Sequence, residues 1–174
     1  MNNRGRSSLK PTATDTELVR GRLILADEAA TRKLARHLAS AMQRGDVIGL
    51  EGSLGAGKST LVREMIRSLA GAPIEVPSPT FSLLQVYELP VLRIVHADLY
   101  RLTGGEVWEL SLEEEAEDSC LLIEWPDRLP PGLFADRLTI SFDMKADGSR
   151  PVVLSGPARR WRQTIENLVQ RSSV

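Results

Sequence analysis

The chain is poor in the residues that build covalent or metal-stapled folds. Of its 174 residues only one is cysteine, Cys120, so no intrachain disulfide can form. It has only two histidines, His37 and His96, and no Cys/His cluster, which argues against a zinc site. No apolar run is long enough to cross a bilayer, and the N-terminal stretch lacks the apolar core of a secretory signal. The expectation is a cytoplasmic protein without membrane contact. The formal net charge of -1 leaves no global electrostatic footprint for nucleic acid, so any such contact has to be local. With 42% hydrophobic and 26% charged residues, the composition is that of a globular protein with a substantial core.

One segment carries chemistry outright. Gly52-Ser53-Leu54-Gly55-Ala56-Gly57-Lys58-Ser59 fits G-x-x-x-x-G-K-[ST], the phosphate-binding P-loop. An apolar run, Val47 to Leu50, precedes it. A helical stripe of Leu61, Val62, Met65, Ile66 and Leu69 follows, ending near Gly71. The glycines let the backbone curl its N–H groups toward phosphate oxygens, and the helix N-terminus adds partial positive charge. Gly55, Ala56, Gly57 and Thr60 are expected to contribute to that cradle. Lys58 is expected to meet the β- and γ-phosphates, and Ser59 to hold Mg²⁺ through its hydroxyl. The ligand read from this pattern is a nucleoside triphosphate with Mg²⁺.

The remaining pattern alternates strands and helices, as in an α/β fold of three layers. The sheet is expected to be mainly parallel at its centre, with antiparallel edge strands. Residues 1–16 read as a flexible tail and 17–174 as a single P-loop domain. Gly21 to Ala26 reads as a strand. Asp27 caps a helix with Ala30, Leu34, Leu38 and Met42 inward, and Gly45 can end it. Three prolines punctuate Ala72 to Thr80. Strands are expected at Leu83 to Leu89 and Val91 to Ala97, turning at Pro90. Seven of the thirteen residues from Glu106 to Asp118 are acidic, and they read as a short solvated helical region. A buried strand follows at Leu121 to Glu124. Arg137 to Phe142 and Pro151 to Leu154 read as antiparallel additions. Pro157 opens a last helix with Trp161, Ile165, Leu168 and Val169 on one side, while Arg159, Arg160 and Arg162 read as solvated charge.

Two acids complete the candidate site. Glu124 ends the run Cys120-Leu121-Leu122-Ile123, where a carboxylate can face the nucleotide and hold Mg²⁺. Asp98 ends the run from Leu92 and can orient a water molecule. No guanine-reading N-K-x-D segment accompanies them, and Asp98-Leu99-Tyr100-Arg101 lacks the glycine of a GTPase switch.

Ser78-Pro79-Thr80-Phe81, Asp98-Leu99-Tyr100-Arg101-Leu102 and Glu124-Trp125-Pro126 follow the P-loop in the order and rough spacing of the TsaE family. This family is the bacterial ATPase of tRNA threonylcarbamoyladenosine biosynthesis, and the sequence resembles it over about residues 21 to 155. The resemblance implies a small ATPase, weak and monomeric when alone. It implies partnership with the TsaD–TsaB pair, which the ATP cycle resets between turnovers, and contact with tRNA only through that complex. It further implies roles for Lys58 and Ser59 at the phosphates, Glu124 at the metal and Asp98 as an essential aspartate. Thr80 falls in a nucleotide-sensing loop, Trp125 beside the nucleotide, and Thr31 near the adenine, with Arg150 near the base as well. Two positions depart from the family pattern: Ser53 stands where Asp is usual, and Ser59 where Thr is usual. Serine keeps the hydroxyl that Mg²⁺ needs. Two other readings are a P-loop kinase acting on a small metabolite and a nucleotide sensor that scarcely hydrolyses.

Overall fold

Alternation along the strands decides which side chains meet which layer. A computed structural model describes residues 17–145 and 149–172; the expected tail over residues 1–16 lies outside them. The elements run β1 (Leu18–Leu25), α1 (Glu28–Ala41), β2 (Val47–Glu51), α2 (Lys58–Ala70), β3 (Leu84–Glu88) and β4 (Arg93–Asp98). Then come α3 (Gly104–Val107), α4 (Leu112–Asp118), β5 (Cys120–Glu124), β6 (Leu138–Phe142), β7 (Arg150–Pro157) and α5 (Ala158–Ser172). The strands form one seven-stranded sheet in the order β1-β7-β6-β2-β5-β4-β3. Its centre, β6-β2-β5-β4, is parallel, and β1, β7 and β3 join antiparallel.

Strand β5 is buried at all five positions, as befits a central parallel strand covered on both faces. Its side chains alternate between two cores. Cys120 and Leu122 join a cluster with Leu34 and Leu38 of α1, Leu61 and Met65 of α2, and Trp161 and Ile165 of α5. Leu121 and Ile123 join a second cluster with Val107 of α3 and Leu112 of α4. The molecule is therefore a mixed α/β fold with helices on both sides of one sheet. Cys120 is fully buried, and burial pushes its thiol well above the usual range, so it is an inert core residue.

Several local expectations hold in detail. Asp27 caps α1 by accepting from the Ala30 N–H at 2.8 Å. Gly71 closes α2 in the left-handed conformation. Others are corrected. The Arg137 to Phe142 segment is not an antiparallel addition throughout: β6 runs parallel to β2 and antiparallel only to β7. Helix α1 ends at Ala41, before Gly45, whose φ of 84° shapes the turn into β2. The acidic region is helical and its acids are mostly exposed, as expected, but it is broken at Ser111, which takes φ 49°. Arg160 is not solvated charge but grips Asp46, 114 positions away.

Candidate functional site

Two strands and a glycine loop build the site. β2 delivers the chain to Gly52, and the loop through Gly57 delivers it to α2. Gly52 takes φ 132°, and a β-carbon there would come within 2.7 Å of the Phe142 carbonyl oxygen. Only glycine fits both demands. Gly57, with φ 110°, is the N-cap of α2, and no side chain among the described residues caps that helix end. Its first-turn N–H groups thus remain donors at the loop mouth. The Ala56 N–H is engaged within the loop, donating to the Ser53 carbonyl at 3.2 Å.

Lys58 folds back over the loop. Its Nζ donates to the carbonyls of Gly52 at 2.8 Å and Ser53 at 2.9 Å, and sits 4.0 Å from the Trp125 ring centroid. Although charged, the residue is 4% exposed. Burial pushes its ammonium below the ordinary lysine range, against the pull of the Glu124, Asp98 and Asp127 carboxylates. Trp125 holds its position in the left-handed conformation at φ 60° and packs against Tyr100, with ring centroids 4.9 Å apart.

The two acids arrive from neighbouring parallel strands. Asp98 of β4 and Glu124 of β5 are register partners, both facing the α2 side of the sheet. Both are nearly inaccessible, at 5% and 2% exposure. Burying a carboxylate requires donors, and each has two. Glu124 Oε2 accepts from the Ser59 hydroxyl at 2.8 Å, and Oε1 lies 3.0 Å from His96 Nε2. Asp98 Oδ2 accepts from the Thr80 hydroxyl at 3.0 Å, and Oδ1 accepts from the Tyr100 N–H at 3.0 Å. Ser78 extends this chain to Thr80 at 2.9 Å.

Most of the residues singled out in the sequence line one cleft at the C-terminal ends of β2, β4 and β5. From the loop and α2 come Gly55, Gly57, Lys58, Ser59 and Thr60; from across it come Thr80, Asp98, Glu124 and Trp125. Arg150 brings Nη1 within 3.6 Å of where a β-carbon on Gly57 would lie. Thr31 stands apart: it is buried in α1 with its hydroxyl on the Asp27 carbonyl at 3.2 Å, and it is not part of the cleft lining. Sequence reasoning missed His96. The signal was there, since His96 precedes Asp98 by two residues and so shares its strand face. Among the described residues, no group of three or more His, Cys, Asp or Glu side chains is placed to hold a metal. Ser59 Oγ and Glu124 Oε2, which meet in the cleft, are oxygen donors of the kind that could hold a hard cation.

Residues 25–152 match the family model described as threonylcarbamoyl adenosine biosynthesis protein TsaE. Over 129 residues the chain is 37% identical to the tRNA threonylcarbamoyladenosine biosynthesis protein TsaE of Rickettsia felis, covering 74% of this chain and 75% of that one. The TsaE protein of Streptomyces coelicolor is 39% identical over 140 residues, covering 75% and 93% of the two chains. The crystal structure of Bacillus subtilis YdiB matches with a TM-score of 0.70 and 26% identity, over 89% of this chain and 97% of that one. The chain belongs to the TsaE family.

Proposed function

We propose that this protein is the ATP-binding and ATP-hydrolysing subunit of a tRNA threonylcarbamoyladenosine system, built on a P-loop NTPase fold. The observation that carries the reading is the convergence of Lys58, Ser59, Asp98 and Glu124 on one cleft at the end of the glycine loop, in a chain whose relatives bear a tRNA-modification name. That name is not a phosphotransferase's, and no observation favours the kinase alternative.

Each side chain has a task in this reading. The Lys58 ammonium, stripped of water and held by neutral carbonyls, exchanges them for anionic β/γ-phosphate oxygens, a stronger charge-assisted bond. Uncapped N–H groups at the start of α2 receive phosphate oxygens. Ser59 and Glu124 would hold Mg²⁺, which supplies neutralising charge to the phosphates. Asp98, fixed at both oxygens, orients a water for attack on the terminal phosphorus, giving ADP and phosphate. Trp125 borders the nucleotide and reports its arrival.

The partner in this reading is the TsaD–TsaB pair, and tRNA is met through it. The docking face is the cleft rim, where Thr80 and Tyr100 touch Asp98 and Phe81 is 84% exposed beneath the Arg101 guanidinium, 4.5 Å from its ring. Nucleotide bound at Asp98 and Thr80 is thereby coupled to the rim. Reconstituted threonylcarbamoyl transfer tests the function: repeated turnover should need this chain and ATP. Turnover indifferent to both would overturn it. Pull-down of the pair with ATP, ADP or no nucleotide, using wild type and Arg101→Glu, tests the docking face.

A further inference from the structure

His96 is the one histidine of the core, 1% exposed, at the fourth position of β4. Its register partner is Leu122, so it lies diagonally across from Glu124 on the same face. Nε2 stands 3.0 Å from Glu124 Oε1. A carboxylate accepts, so the imidazole donates through Nε2. Nδ1 is buried, with no hydrogen-bond partner among the described residues. A ring with one nitrogen unsatisfied is a poor packing residue, because an apolar side chain would fill the space without that penalty. Among the described residues its single polar contact is Glu124.

That contact settles which oxygen of Glu124 is available. Oε1 is taken from behind by His96, and Oε2 is left toward Ser59 and the cleft. We infer that His96 is a positioning residue for the divalent cation: it locks the Glu124 carboxylate in the rotamer that presents Oε2 beside Ser59 Oγ. The inference rests on the proposed nucleotide–Mg²⁺ reading of the cleft. Groups that orient a ligating carboxylate in this way typically tune metal affinity by about 10–100-fold. A residue that merely packs would leave it unchanged.

The test compares His96→Leu with His96→Gln, whose amide can place a donor near the position of Nε2. His96→Asn, too short to reach, serves if the leucine variant does not fold. Thermal melts establish folding. Mg²⁺ is titrated into each protein with ATP present, read by intrinsic tryptophan fluorescence, and ATP affinity is measured separately in EDTA. His96→Leu or His96→Asn should raise the half-saturating Mg²⁺ concentration by about 10–100-fold, with affinity in EDTA unchanged and His96→Gln close to wild type. A folded leucine or asparagine variant with wild-type Mg²⁺ dependence would overturn the inference alone. A Gln variant as impaired as Leu would also overturn it. A wild-type protein that ignores both ATP and Mg²⁺ would overturn the nucleotide reading beneath it.

Discussion

The two ends of β2 both carry buried charge, and they handle it in opposite ways. At the N-terminal end, Asp46 and Arg160 mate fully. Arg160 Nε and Nη2 meet the two carboxylate oxygens at 2.8 and 2.6 Å, and the Gln43 N–H adds a third contact at 2.7 Å. The guanidinium also lies 4.2 Å from the Trp161 ring centroid. At the C-terminal end, the Lys58 ammonium is held by carbonyls and an indole, while Glu124 and Asp98 are held by hydroxyls, a backbone N–H and a histidine. Opposite charges there share a cleft without pairing among the described residues. Mated charge has no capacity left for a ligand and ties α5 to the turn before β2. Charge held by neutral partners keeps its capacity for ions of the other sign.

Breaking the mated end should have the largest effect on stability and the least on the site. Arg160→Ala strands the Asp46 carboxylate and should cost about 3 kcal/mol, the low end for one member of a buried pair, because Arg160 is a quarter exposed. Urea unfolding measures it, and ATP affinity in the folded fraction should stay at the wild-type value. An equally stable variant would mean that the clasp contributes nothing.

At the cleft end the pattern should invert. Glu124→Gln and Asp98→Asn keep shape and burial, and each should slow single-turnover ATP hydrolysis by about 100-fold, the scale for a group acting on transition-state charge. Nucleotide affinity should change by only about threefold. Unchanged rates in both variants would reduce these acids to structural roles like that of Asp46.

The uneven legibility of the two ends has a physical cause. The glycine loop is local: eight consecutive residues specify its turns, its lysine and its hydroxyl. Glu124 and Asp98 were readable because each ends an apolar run, and strand ends in parallel sheets meet ligands. The Asp46–Arg160 clasp joins residues 114 positions apart and leaves no pattern in either neighbourhood. Residue patterning carries no information on strand direction, so the parallel pairing of β6 with β2 was missed. The break at Ser111 sits inside a run whose composition favours helix, and tertiary packing of Val107 and Leu112 overrides it.

Smaller effects sharpen the contrast. Trp125→Phe removes the indole that faces Lys58 and should abolish most of the fluorescence change on ATP–Mg²⁺ binding, although Trp108 and Trp161 remain. The affinity should change little, because phenylalanine keeps a π face toward Lys58. An undiminished signal would place the reporter elsewhere. The smallest effect is a pH slope. The Lys58 pKa is lowered in the fold, so above that value the unfolded chain keeps a proton the folded chain has released. Melting temperature relative to Lys58→Met should therefore rise with pH through the lowered pKa toward 10.5, and be flat below it. A slope of the opposite sign would mean that Lys58 is stabilised as a cation, as in a mated pair.

Calorimetric titration of ATP–Mg²⁺ into wild type and Lys58→Ala tests the central claim most directly, since it asks whether the unmated lysine waits for phosphate. One saturable site in the wild type, weakened about 100-fold or more in a folded Lys58→Ala protein, is the predicted result. Equal affinity in the two folded proteins would contradict it.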